Sequence, residues 1–297
     1  MNHTELLIGH STDAEAQTGL SVFLMPQAAE CGAWVCGSAP GSRDIIFFTN
    51  SGFTVSKAHA LLFTGGSAYG LDAAAGVMRW LKEHNRGISV GRHVVPIVPT
   101  ACIFDLDQGA GTAPSADAAY AACQNAHANP LQGMVGAGTG ARVGKLFSNA
   151  EPMPGGFGWQ KLQGPDGLEV SAYVVVNAVG NVINQHGEIV AGARHNSGFM
   201  DPLQNQYKPP EIASIGNTIL VATFCNASFH KDALIRIAKM ASAGIARSIS
   251  PSFTSYDGDI VFSFALGAKP ADELTVGAFA AEAVRQAILS AVDNTFA

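Results

Sequence analysis

Charge is scarce in this chain: Asp, Glu, Lys and Arg together make up 13% of its 297 residues, about half the share of an average soluble domain. Much of the surface must therefore be uncharged, which points to burial between subunits. The net charge is −6 and Lys and Arg nowhere cluster. That excludes the grouped cations that phosphate binding needs, so no nucleic-acid partner is expected. No run of about 18 apolar residues occurs, and the start Met1-Asn2-His3-Thr4-Glu5 lacks the basic and apolar regions of a secretory signal. A soluble, cytoplasmic protein without a membrane partner is expected. The five cysteines, Cys31, Cys36, Cys102, Cys123 and Cys225, are odd in number and sit among apolar or small residues, as reduced buried thiols do. No pair of them has zinc-ligand spacing with a nearby His. His10 and Asp13 read as a turn or helix cap, so neither a metal nor a cofactor is expected.

What the chain has in quantity is apolar residues, 47% of the total, enough for one large α/β domain. Apolar β-rich runs flanked by Gly, Pro, Asn or Asp predict strands over residues 20–25, 45–49, 94–98, 173–176, 219–224 and 260–266. Helical spacing links Leu71, Ala74, Ala75, Met78 and Leu81, then Leu234, Ile237, Ala238, Ala241 and Ile245, and finally Ala280, Val284, Ala287, Ile288 and Ala291. Helices and strands in alternation give a layered α/β architecture. Residues 149–166, rich in Gly and Pro, and residues 195–210 predict long loops.

Gly136-Ala137-Gly138-Thr139-Gly140-Ala141 fits the loose dinucleotide-binding pattern, but the Pro130-containing segment precedes it where a strand is required. No acidic strand end follows at the right distance to hold a ribose. Nor does Gly144-Lys145 complete a phosphate loop, since Thr139 and Leu146 stand where Gly and Ser or Thr are needed. The run is better read as tight backbone that positions Lys145.

Gly216-Asn217-Thr218 leads from a glycine-containing loop into the apolar run 219–224. A Thr hydroxyl there can attack its own preceding carbonyl. Were the bond after Asn217 to break, Thr218 would gain a free α-amine with a pKa near 8, able to act as a base near neutral pH. Taken alone the tripeptide is also an ordinary turn entering a strand.

The segments Gly9-His10-Ser11-Thr12-Asp13, Thr18-Gly19-Leu20, Pro40-Gly41-Ser42-Arg43-Asp44, Thr64-Gly65-Gly66-Ser67-Ala68-Tyr69-Gly70, Gly216-Asn217-Thr218 and Asp257-Gly258-Asp259 occur in the order seen in the L-aminopeptidase/D-Ala-esterase family. The chain resembles this family over nearly its full length. The family includes β-peptidyl aminopeptidases and the endo-type 6-aminohexanoate (nylon) oligomer hydrolase, and its precursors cleave themselves ahead of a Ser or Thr. Thr218, Lys145, Asn177, Asp257 and Asp259 match the nylon-oligomer branch; the aminopeptidases carry Ser and Glu at the two acidic positions.

The resemblance implies a four-layer αββα sandwich of N-terminal-nucleophile-hydrolase type. It also implies a single self-processing domain, 1–297, cut into fragments 1–217 and 218–297 and assembled as a homotetramer. On this basis Thr218 attacks the substrate amide, Asn177 and Tyr69 hold the oxyanion, and Lys145, Asp257 and Asp259 hold and charge the site. Expected substrates are short peptides or amides, including β-peptides, D-amino-acid amides and ω-amino-acid oligomers. An acyltransferase of the ornithine-acetyltransferase type would need a Lys-Gly-rich approach and a Met-rich strand, which are absent around residues 216–224. A non-catalytic ligand-binding relative would not need all five matched side chains.

Overall fold

The structure, a computed structural model, describes residues 5–196, 198–204 and 216–293. Nine strands form one hydrogen-bonded sheet: β1 (Leu7–Asp13), β2 (Thr18–Val35), β3 (Ser42–Arg43), β4 (Lys57–Thr64), β5 (Thr100–Cys102), β6 (Gly156–Gln163), β7 (Glu169–Asn177), β8 (Thr218–Ala227) and β9 (Ile260–Lys269). Their order is β6-β7-β8-β9-β2-β4-β5-β3, with β1 also paired to β2. Pairing is antiparallel except at β8 with β9 and at β4 with β5.

Strand β2 is 18 residues long and belongs to both halves of this sheet. Residues 20–24 pair with β4 and β1, whereas residues 30–35 pair with β9, and the register slips between Leu24 and Ala29. Pro26 stands at that slip, where a residue without an N–H costs the ladder least. The sheet thus has two wings that share one strand.

Alternation along the strands shows how the wings lie. Leu61 and Phe63 of one wing, with Tyr173, Val175, Leu220, Ala222, Phe224, Phe262 and Phe264 of the other, share a single buried cluster. The intervening residues face away. Ala60 and Leu62 pack under helices α1 (Ala74–Glu83) and α2 (Ala116–Gln124). Val174, Val176, Ile219, Val221 and Val261 pack under α3 (Lys231–Ala241) and α4 (Glu273–Asp293). A period of two, carried through β4, β7, β8 and β9, therefore yields helix, wing, wing, helix. This is the expected four-layer αββα sandwich, with its two central sheets joined through β2.

Phe23 sits between the wings, with its ring centroid 5.2–6.2 Å from those of Phe63, Phe157, Tyr173 and Phe224. No helix among the described residues is long and apolar enough to cross a membrane.

Three expectations need correction. Residues 45–49 do not form a strand: Ile46–Thr49 is a single helical turn, because only Phe48 of that run finds a buried site. Of 94–98, only part lies in a strand, the three-residue His93–Val95. The glycine-rich segment 149–166 contains β6, an edge strand. Glycines there permit close approach: a Cβ on Gly156 would stand 2.4 Å from the Ala291 carbonyl oxygen, and one on Gly158 would stand 2.2 Å from that of Ala287. The composition of a loop is here the footprint of α4 pressed against strand backbone. Of the other expected loop, Arg194–His195 and Gly198–Phe199 pair as a small hairpin; residues 205–215 lie outside the described residues.

Candidate active site

Thr218 is the first residue of β8, and each neighbouring strand brings polar groups to it. Across the antiparallel ladder Thr218 lies directly opposite Asn177, the last residue of β7. On the other side Asn217 bridges in parallel to Asp257, just before β9. Leu220 and Val175 face the space between the wings, so by alternation Thr218 and Asn177 face it too. The site lies at the open end of the sandwich, where Phe104 and Asp105 arrive from β5 of the other wing.

The peptide bond between Asn217 and Thr218 is held under close contacts. The Thr218 hydroxyl donates to the Asn217 carbonyl oxygen at 2.6 Å, and the Gly258 N–H donates to the same oxygen at 2.7 Å. Asn217, Thr218, Asp257 and Asp259 are all buried, at 2%, 5%, 3% and 1% exposure, which excludes bulk water from the bond.

Asn177, 1% exposed, has its whole amide engaged. Its Nδ2 donates to the carbonyls of Phe104 and Gly216, both at 3.1 Å. Its Oδ1 accepts from the Arg142 N–H at 2.9 Å and from Lys145 Nζ at 3.0 Å. Lys145 also donates to the Asn177 backbone carbonyl at 3.1 Å.

The two carboxylates are held differently. Asp257 Oδ2 accepts from the N–H and hydroxyl of Thr254, at 2.8 and 2.7 Å. Asp259 Oδ1 accepts from the Ile219 N–H at 2.7 Å, while its Oδ2 is buried without a partner among the described residues. Burial raises both carboxyls above their ordinary range, and the charge of Asp257 pushes Asp259 further. A proton or a cationic partner is favoured at Asp259.

Burial is also the main influence on Lys145, lowering its amine from 10.5 to about 7, with Asp257 opposing and Arg142 reinforcing the shift. Below this value the folded and unfolded chains both carry the charge. Between about 7 and 10.5 the unfolded chain holds a proton that the folded chain has released, so the group's contribution to stability rises with pH across that window. Urea unfolding of wild type and Lys145→Met should accordingly diverge between pH 7 and 10, with wild type gaining relative stability as pH rises. Parallel profiles would contradict the assignment.

Sequence motifs did not point to several members of the site. Asp105, 2% exposed, accepts from the Thr18 hydroxyl at 2.7 Å and the Gly66 N–H at 2.6 Å. Its signal was a carboxylate ending the apolar stretch Ala101-Cys102-Ile103-Phe104. Arg142 and the Gly258 N–H act through backbone atoms, which no side-chain motif reveals. Phe104, Asp105, Asp107, Gln108, Arg142, Lys145 and Asn177 enclose a cavity of about 60 Å³ that reaches Asn217.

Tyr69 is placed differently from the other expected residues. It is 73% exposed, on the one-turn helix Ser67–Gly70, and its hydroxyl bonds none of these groups among the described residues. Asp105 ties the start of that turn, Gly66, to the cavity wall. No group of three or more His, Cys, Asp or Glu able to hold a metal occurs among the described residues. Of the early His and Asp, His10 bonds Ser21 at 2.9 Å and Asp13 caps a turn at the Ala16 N–H, 2.8 Å away.

Known proteins share both fold and sequence with this chain. A beta-aminopeptidase from Burkholderia sp. superposes with a TM-score of 0.73 at 20% identity, over 97% of this chain and 84% of that one. The L-aminopeptidase D-Ala-esterase/amidase of Ochrobactrum anthropi, described as a variant of the Ntn hydrolase fold, gives 0.71 at 17% identity, over 96% and 83%. The fold is therefore that of the N-terminal-nucleophile hydrolases.

In sequence, an uncharacterized aminopeptidase of Mycobacterium tuberculosis is 38% identical over 93% of this chain and 86% of its own length. A 6-aminohexanoate-oligomer endohydrolase of Paenarthrobacter ureafaciens is 28% identical over 86% and 71%. The model of peptidase family S58 matches residues 3–295. The chain belongs to peptidase family S58, and it is a hydrolase acting on peptide or amide bonds.

Proposed function

We propose that the chain cuts itself between Asn217 and Thr218 and then works as an N-terminal-threonine amidohydrolase on short peptides or amides. The observation that carries this is the Thr218 hydroxyl, 2.6 Å from the carbonyl oxygen of the bond it would break, inside a ring of buried acids, an amide and a lysine. After cleavage Thr218 Oγ1 attacks the substrate carbonyl and its new α-amine takes and returns the proton. The unpartnered Asp259 Oδ2 is suited to receive that amine and hold it in place. Departure of Gly216 frees one Nδ2 proton of Asn177 for the substrate's oxyanion. Lys145 fixes the opposite end of the same amide and, below about pH 7, supplies positive charge. Tyr69, outside this ring, is assigned to contact with the incoming substrate.

The two fragments, 1–217 and 218–297, would remain one body, because β8 and β9 lie in the middle of the sheet between β7 and β2. The paired strands Ile88–Val90 and His93–Val95 expose Ile88, Val90 and Val95 at 39%, 57% and 40%, which supports burial of this ribbon in a homotetramer of cut protomers. Five unpaired cysteines fit a reducing, cytoplasmic setting.

A panel of β-alanyl, D-alanyl and L-alanyl anilides with 6-aminohexanoate oligomers tests the activity. Purified protein is expected to hydrolyse at least one member, and lack of turnover on every amide would count against the proposal. The mycobacterial likeness favours the aminopeptidase substrates, whereas Asp at both 257 and 259 favours the oligomers.

A further inference from the structure

Self-cleavage and substrate hydrolysis each develop negative charge on a carbonyl oxygen next to Thr218, and the structure offers two different donors for it. In the uncut chain the Asn177 amide is not available to the scissile carbonyl: its two protons go to the carbonyls of Phe104 and Gly216. The oxygen of Asn217 instead receives the Gly258 N–H at 2.7 Å. We propose that the backbone N–H of Gly258 is the oxyanion donor of the maturation step, and that Asn177 takes over this role only after residue 216 has left. This rests on the assignment of Thr218 as a self-cleaving nucleophile.

The peptide unit that carries this N–H is fixed from behind. Its carbonyl, that of Asp257, accepts the N–H groups of Ser38 and Ala39 at 2.7 and 3.0 Å, and the carbonyl of Asp259, two residues on, accepts those of Cys36 and Gly37 at 2.9 and 3.1 Å. Two donors from the segment following β2 thus hold the 257–258 plane and two more anchor the 259–260 plane beyond it, and a trans peptide pinned at its oxygen points its N–H the opposite way, at Asn217. A donor held this way needs no reorganisation as charge develops, which is what makes an oxyanion hole effective. The position also admits only glycine: a Cβ on residue 258 would lie 2.5 Å from the Ala39 carbonyl oxygen and 2.9 Å from Thr218 Oγ1. The glycine between the two aspartates is there for the reacting bond as well as for the turn.

The step balances within the chain. Thr218 Oγ1 forms a bond to the Asn217 carbonyl carbon, and the oxygen of that carbonyl carries negative charge against the Gly258 N–H. The C–N bond then breaks as the hydroxyl proton passes to the Thr218 nitrogen, leaving an ester with a free α-amine. Water hydrolyses the ester to the Asn217 carboxylate and the Thr218 hydroxyl.

Replacing Gly258 by glycolic acid in the full chain exchanges the one N–H for an ester oxygen and adds no side chain. Cleavage, followed by intact mass from the time of folding, should slow by about a hundredfold, in line with the loss of one oxyanion donor. Asn177→Ala should cut within about tenfold of the wild-type rate while losing turnover, since Lys145 keeps the residue-177 backbone carbonyl as an acceptor.

A glycolate chain that cuts as fast as wild type would overturn the proposal. So would an Asn177→Ala chain that folds, judged by near-ultraviolet circular dichroism, yet stays uncut. The second arm decides the matter even if the ester chain does not fold. A wild-type chain that never cuts would instead remove the threonine mechanism itself.

Discussion

Thr218→Ala is expected to give one uncut chain of 297 residues without amidase activity, and Thr218→Ser a chain that still cuts and still turns over, more slowly. On the proposed mechanism the effect is all-or-none, because one side chain would supply the nucleophile of both reactions and its backbone nitrogen would become the base of the second. Alanine removes the oxygen that lies 2.6 Å from the Asn217 carbonyl and leaves nothing nearby that proximity could activate in its place. Serine keeps the oxygen but loses the β-branch that restricts it to few rotamers, so a smaller fraction of the uncut chain holds it in the attacking position. Denaturing gels and anilide assays read both outcomes together. An active alanine variant would move the chemistry elsewhere.

Asn177→Ala should lower amide turnover by about a hundredfold or more, the scale of a lost oxyanion donor, while the protein still folds. On the proposed mechanism the residue touches the chemistry from both ends. Its Nδ2 group bonds the Gly216 carbonyl, which the proposed cleavage would move away, and its Oδ1 is held by Arg142 and Lys145. Truncation removes the donor and one of the two acceptors of Lys145, which keeps the backbone carbonyl of residue 177. The loss should therefore appear in kcat more than in KM, because the missing contact forms only as the tetrahedral oxygen develops. Unchanged turnover would take Asn177 out of the mechanism.

How much of this could be read in the sequence depended on whether side chains or backbone carried the information. The apolar runs that became the centres of β7, β8 and β9 were legible, since strands buried on both faces read as continuous Val, Ile and Phe. The edge strand β6 was not, because α4 lies so close on it that glycine replaces the apolar alternation at Gly156 and Gly158. The run 45–49 has strand composition but no strand partner, and local propensity gave way to a helical turn.

The site divides in the same way. Thr218, Asn177, Lys145, Asp257 and Asp259 were singled out by the family resemblance, and the structure brings all five together. Asp105 stood at a strand end, but nothing in the chain marked β5 and β8 as neighbours in space. The Gly258 N–H has no letter of its own in a sequence. Tyr69 shows the opposite case, a motif residue whose turn is tied to the cavity through Asp105 while its own ring stays in solvent.

The central claim is that Thr218 becomes an N-terminus, and the intact mass of the purified wild-type protein under denaturing conditions tests it most directly. The account predicts two species, residues 1–217 and 218–297, which co-elute in native buffer because β8 and β9 are held between strands of the larger piece. N-terminal sequencing of the smaller should begin Thr-Ile-Leu-Val. A single species of 297 residues that nonetheless hydrolyses amides would contradict it, for an amidase at work with the bond after Asn217 intact cannot use the α-amine of Thr218.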